Sequence, residues 1–223
     1  MYWTDEGYLL SKTNFDENSI IIEAFTLEHG KYSGIVYGGS SRKQKKNLQI
    51  GNKISFNWRS KNENKAGYFN IELINPVSPF FFDDKKRSIC ILSATSILKI
   101  LLPSRETNKN IYHSFENMLN NLKYNNWINL YISWELSLIN QLGYEANFID
   151  KKNINFDSKK YVDINDKLFK VPNLILHHNV KENSKEDVRE ALTFNKLLFM
   201  ENFLTPNKLR LPISRIILEK YYI

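Results

Sequence analysis

The sequence contains one cysteine, Cys90, in 223 residues. No disulfide can form within the chain and a thiolate zinc site cannot be built from it, so a reducing compartment is expected. Cys90 stands inside "SICILSATSILKILL", where a small core hydrophobe is the natural reading. That run, Ser88 to Leu102, is the most apolar in the chain. It falls short of the roughly 20 residues that a bilayer span requires, and Lys99 interrupts it. A buried helix is predicted there, with no membrane association. The start, "MYWTDEGYLLSK", lacks the basic region and apolar core of a signal peptide, which points to a soluble cytoplasmic protein. Glycine and proline are scarce, while Asn, Ile and Lys are abundant. This bias reads as genomic base composition.

Enzymatic signatures are missing too. There is no Walker loop, no dinucleotide glycine fingerprint, no HExxH and no nucleophile elbow. His177 and His178 are adjacent, so on a strand they point to opposite faces and one metal could hardly take both. Asp83 and Asp84 precede Lys85, Lys86 and Arg87. A solvated linker is the expectation, since nothing nearby supplies a third metal ligand. No catalytic residues, metal site or cofactor are predicted.

What is present in excess is positive charge. The formal net charge is +7, which fits a polyanionic partner. Local clustering says more than the total. The stretch "YGGSSRKQKKNLQIGNKISFNWRSK", Tyr37 to Lys61, holds seven Lys and Arg residues and no carboxylate. It lies among segments that read as strands: Gly7 to Thr13, Ser19 to Thr26, Lys31 to Gly38, Lys53 to Arg59 and Tyr68 to Ile74. In "KISFNWR", Ile54, Phe56 and Trp58 face one way and Ser55, Asn57 and Arg59 the other. Five short strands, with the longest connection between the third and fourth, fit a small OB-type barrel, which often carries a helix in that connection. A sandwich fragment is the competitor.

Beyond Asn75 the pattern changes. "NPVSPFFFDDKKRS" has two prolines and no period, which marks a domain boundary. Helices are predicted over Ser88 to Leu102, Asn110 to Leu122, Trp127 to Leu142, Glu186 to Leu204 and Ile213 to Tyr222. The polar stretch Tyr144 to Val180 is expected to form loops, with a short hairpin at "KYVDI" and "KLFKV". The predicted fold is α+β: a five-stranded OB-fold barrel over residues 1–77, then a helical domain over 78–223 with irregular loops at about 144–180.

A barrel that tracks a nucleic-acid backbone needs cations along a groove and exposed rings for unstacked bases. The candidate DNA-binding residues are therefore Tyr37, Arg42, Lys43, Lys45, Lys46, Arg59, Lys61 and Lys65. Trp58 is a further candidate ring, although its alternation with Ile54 and Phe56 places it in the core. Contacts to phosphate and sugar carry little sequence preference. Two rival classes stay open at this level: an RNA-binding barrel, and a metal-dependent nuclease using Asp83 and Asp84.

The first 60 residues resemble the N-terminal domain of the bacterial RecO recombination mediators, in the variant of alphaproteobacteria. The resemblance is carried by Trp3, Asp5-Glu6-Gly7, Leu10, Glu17-Asn18, Thr26-Leu27-Glu28-His29-Gly30, Gly34, Val36, Gly38-Gly39, Leu48-Gln49, Gly51 and Trp58-Arg59. "YISWELSLINQLGY" is similar to the family's central helix, and "FNKLLFMENFL" with "LRLPISRIILEKYY" to its C-terminal helices. The resemblance implies an OB-fold followed by a helical domain, and a non-enzymatic, nucleoid-associated protein of DNA repair. It implies binding of ssDNA and dsDNA and annealing of complementary strands. The implied partners are RecR, the C-terminal tail of single-stranded DNA-binding protein (SSB), and, in loading RecA, often RecF. Many relatives carry a four-ligand zinc site after the central helix. Residues 143–171 hold no cysteine or histidine here, so that site is expected to be lost.

Overall fold

The structure is a computed structural model that describes residues 1–61, 67–144, 148–150, 160–164, 167–176 and 184–223. The chain divides into two compact units, residues 1–113 with 212–215, and residues 114–211 with 216–223.

The first unit is built on a closed five-stranded barrel. Its strands are β1 (Tyr2–Asn14), β2 (Ile20–Thr26), β3 (Gly30–Val36), β4 (Lys53–Arg59) and β5 (Gly67–Asn75), in the order β1-β2-β3-β5-β4. β1 is long enough to serve both sides of the barrel. Its first half pairs with β4 and its second half with β2, and the register shifts between Leu9 and Ser11. Such a bulge bends a strand and tightens its twist, which is what turning the barrel's corner requires. Closure comes from a short parallel pairing, Gly34 with Gly67 and Ile35 with Tyr68. Both glycines are needed for this approach. A Cβ on Gly34 would stand 2.7 Å from the Phe69 ring, and one on Gly67 would stand 2.2 Å from the Trp58 indole nitrogen.

The inward faces obey the strand period. Ile54, Phe56 and Trp58 of β4 join Leu9, Ile20, Ile22, Ala24, Val36, Phe69 and Ile71 in one core. Leu48, from the connection between β3 and β4, joins this core and is fully buried. The basic connection carries a six-residue helix, α1 (Arg42–Asn47). Ser41 caps it by accepting from the Gln44 N–H, and Leu48 closes it by donating its N–H to the Gln44 carbonyl.

The barrel unit also contains α2 (Lys85–Leu101). Here the expectation of a solvated linker at Asp84 is corrected. Asp84 is the N-cap of α2, and its carboxylate accepts from the backbone N–H groups of Lys86 and Arg87. It also pairs with the Arg87 guanidinium. Partial burial acts to raise the Asp84 pKa, but these hydrogen bonds and the charge of Arg87 outweigh it, so the net shift is downward. Cys90 is fully buried on the inner face of α2 with Ile91, Ala94, Ile97 and Leu98. Lys99 near its end pairs with Glu23 of β2 at 2.7 Å.

The second unit is mainly helical. The helix α3 (Lys109–Asn121) leads into it, followed by α4 (Trp127–Gln141), the short α5 (Asn173–Leu176), α6 (Lys185–Phe199) and α7 (Ile213–Lys220). A π-helical turn, Met200–Leu204, extends α6. α4 and α6 are tied by a buried polar pair. Asn195 donates to the Ile132 carbonyl at 2.9 Å and to Glu135 at 3.2 Å, and Tyr131 donates to Glu135 at 2.5 Å. Between α4 and α5 the chain adds an antiparallel sheet of β6 (Phe148–Asp150), β7 (Lys160–Ile164) and β8 (Lys167–Lys170). The expected hairpin is β7 with β8, and β6 is a third strand that the sequence did not disclose. No helix among the described residues is long and apolar enough to cross a membrane.

Candidate nucleic-acid interface

α1 presents a wholly polar surface. None of its residues is buried. Arg42, Lys43, Lys45 and Lys46 all point to solvent, and among the described residues none of them has an ion-pair partner. The helix is rooted by Leu48, not by an apolar face of its own, so every cation in it remains available. Lys45 and Lys46 in its last turn also complement the negative end of the helix dipole. Lys12 on β1 adds to this field and was not identified from the sequence. Its ammonium donates to the Leu48 carbonyl. Burial, and next the charge of Lys45, push its pKa below the ordinary lysine value.

A second group lies at the rim of the barrel. Register places Tyr2 of β1 opposite Arg59 of β4, Arg59 opposite Tyr68 of β5, and Tyr68 beside Ile35 of β3. The result is a row running across neighbouring strands on the outer surface. The Arg59 guanidinium stands 5.0 Å from the Tyr2 ring centroid. The Tyr37 and Tyr68 rings lie 6.0 Å apart. Tyr2, Tyr37 and Tyr68 are 60%, 66% and 37% exposed, so their faces can accept a stacked base. Lys61 joins Tyr2, Arg59 and Tyr68 around a concavity of about 420 Å³.

Of the candidate residues, the structure therefore brings Tyr37, Arg59 and Lys61 into one row, and holds Arg42, Lys43, Lys45 and Lys46 together on α1. Lys65 lies outside the described residues, as do His177 and His178. Tyr2 and Tyr68 are members of the row that sequence reasoning missed. The usable signal was alternation, because Tyr2 and Tyr68 each precede an inward aromatic, Trp3 and Phe69. Trp58 is only 3% exposed and belongs to the core. Asp84 is committed to capping α2, and among the described residues no group of three acidic, His or Cys side chains could hold a metal ion.

Exposed cations on α1, together with an aromatic and cationic row on a five-stranded barrel, suit a polyphosphate chain with accessible bases. Comparison with known proteins points the same way. Residues 1–77 match the family model "Recombination protein O N terminal" and residues 83–162 match "Recombination protein O C terminal". A "DNA repair protein RecO" of a Wolbachia from Drosophila simulans is 32% identical over 168 residues, covering 72% of this chain and 69% of the relative. That of Roseobacter denitrificans is 34% identical over 145 residues, covering 65% of this chain and 60% of the relative. That of Rickettsia felis is 30% identical over 220 residues, covering 89% of this chain and 91% of the relative. On the strength of the two family models and these extended likenesses, the chain belongs to the RecO family of DNA repair proteins.

Proposed function

We propose that the protein is a non-enzymatic DNA-binding mediator of recombinational repair. α1 holds the phosphates of a single strand, and the row Tyr2, Arg59, Tyr68 and Tyr37 receives its bases. Bound cations screen repulsion between two strands, so complementary strands can approach and anneal. The contacts to phosphate apply equally to ssDNA and dsDNA. The carrying observation is the exposure of Arg42, Lys43, Lys45 and Lys46 on one short helix with no acidic partner among the described residues.

The second unit supplies the protein partners, RecR and the C-terminal tail of SSB, and so helps load RecA, with RecF where it takes part. One groove there supports the docking of an acidic tail with an aromatic end. Its volume is about 620 Å³; Phe169, Pro172, Phe194 and Leu197 form its apolar walls, and three cations, Lys170, Arg189 and Lys196, line it with one carboxylate, Glu190.

Strand annealing tests this reading. Complementary strands coated with SSB should anneal faster when the protein is added, and deletion of the acidic SSB tail should remove the acceleration. Bare strands should be accelerated in either case, and remain uncut. A protein that leaves bare strands annealing at their spontaneous rate is not this mediator.

A further inference from the structure

Behind the exposed row, the barrel carries an aromatic cluster that the core does not fully absorb. Trp3 stacks on His29 at 4.2 Å with an interplanar angle of 9°, and on Trp58 at 5.6 Å with an angle of 15°. Three flat rings thus form a ladder. Tyr32 meets it edge on, at 5.0 Å from Trp3 and 5.4 Å from Trp58. The Arg105 guanidinium lies 5.4 Å from the centre of the Tyr32 ring. Tyr2, Trp3, His29, Tyr32, Trp58 and Arg105 surround an open cavity of about 530 Å³. A second cavity, of about 470 Å³, shares Tyr32, Trp58 and Arg105 and extends past Lys31 and Ser33.

Backbone contacts fix two of the lining residues. Asp5 fixes His29 by accepting from its backbone N–H at 3.1 Å and contacting its ring nitrogen at 2.9 Å. Arg105 donates its backbone N–H to the Lys31 carbonyl at 2.9 Å and has a left-handed φ of 64°. A side chain disfavours that conformation by about 1 kcal/mol, so the fold tolerates strain in order to place Arg105 there. The indole N–H groups of Trp3 and Trp58 are both buried without an acceptor, which is uncommon for buried donors.

We propose that this cavity receives one unstacked nucleobase of a bound strand, with Arg105 holding its phosphate. Trp3 and Trp58 back the pocket, while His29, with 31% of its side chain exposed, and the half-buried Tyr32 offer flat rings to a base, and the guanidinium matches an anionic phosphate. A cationic guest, the usual occupant of an aromatic cage, is repelled by Arg105. The inference rests on the reading that the barrel binds a nucleic-acid strand. It adds an enclosed base contact to those of the exposed row.

The test uses the full chain and two probes of equal length, oligothymidylate and an abasic oligonucleotide with the same number of phosphates. Tryptophan fluorescence is read in a Trp127→Phe, Trp134→Phe background, so that it reports on Trp3 and Trp58. Wild-type protein should bind oligothymidylate at least about fivefold more tightly than the abasic strand, since stacking of a base contributes about 1–3 kcal/mol, with quenched fluorescence. Tyr32→Ala should lose the pocket's share of that preference, about fivefold, together with the quenching while keeping its affinity for the abasic strand, and Tyr32→Phe should restore both. Arg105→Gly relieves the backbone strain, so it should fold, and should bind oligothymidylate about three- to tenfold more weakly. If wild type, Tyr32→Ala and Arg105→Gly show the same preference and the same quenching, the pocket is refuted while strand binding stands. If wild type binds neither probe, strand binding is refuted and the pocket with it.

Discussion

Replacing Arg42, Lys43, Lys45 and Lys46 together by glutamate should abolish single-stranded DNA binding and strand annealing in a protein that still folds. The four side chains are exposed and α1 buries none of its residues, so the core is untouched. The Ser41 cap and the Leu48 anchor remain. Reversal near the helix C-terminus opposes the dipole by at most about 1 kcal/mol per residue, a local cost to α1 only. The binding effect is far larger. Four phosphate contacts are lost and four repulsions are added, which should weaken affinity by at least about 100-fold at moderate salt. Circular dichroism should be unchanged. Annealing at the wild-type rate by the folded variant would mean that α1 is only a solvated loop.

The second large effect concerns Asp5. Its side chain is 3% exposed, yet it faces three amide N–H donors and the His29 ring. One oxygen accepts from the Glu6 amide at 2.8 Å; the other accepts from the amides of Glu28, at 2.8 Å, and His29, at 3.1 Å. The His29 ring nitrogen approaches that second oxygen at 2.9 Å. The carboxylate thus ties the start of β1 to the turn between β2 and β3. Asp5→Ala leaves these amides without an acceptor, and orphaned buried donors cost about 1–3 kcal/mol each. Because part of the turn can reach water, the expected loss is about 3 kcal/mol in total. Urea denaturation should show an earlier midpoint with an unchanged slope, and the Glu28 and His29 amides should lose protection from hydrogen exchange. A shift below about 1 kcal/mol would show that the turn is held by other contacts.

How far the molecule was readable from sequence depends on the range of the forces involved. Ile54, Phe56 and Trp58 alternate with Ser55, Asn57 and Arg59, so the inward face of β4 could be read directly. The helix α1 could be expected only from the barrel plan. Its six residues have no apolar periodicity, and a local cap at Ser41 with a distant anchor at Leu48 defines it. Alternation can turn Tyr2 and Tyr68 outward, but their alignment with Arg59 follows from strand register between segments far apart in the chain, and no local pattern encodes that. The same holds for closure through Gly34 and Gly67, where the need for a bare backbone becomes visible only once Phe69 and Trp58 are in place. Asp84 is the opposite case. An aspartate just ahead of a long apolar run is a helix-start signal, and the neighbouring Asp83 and basic residues obscured it. The three residues of β6 are too short for periodicity to register.

The central claim is that α1 grips phosphates electrostatically, and the most direct measurement is the salt dependence of oligothymidylate binding. The logarithm of affinity should fall linearly with the logarithm of salt concentration. Substituting Ala for Arg42, Lys43, Lys45 and Lys46 should make that slope shallower by about 3, at roughly 0.7 per contact to a single strand. Equivalently, those four contacts alone should account for about a 50-fold loss of affinity between 50 and 200 mM salt. Equal slopes for the wild type and the alanine variant would contradict the account.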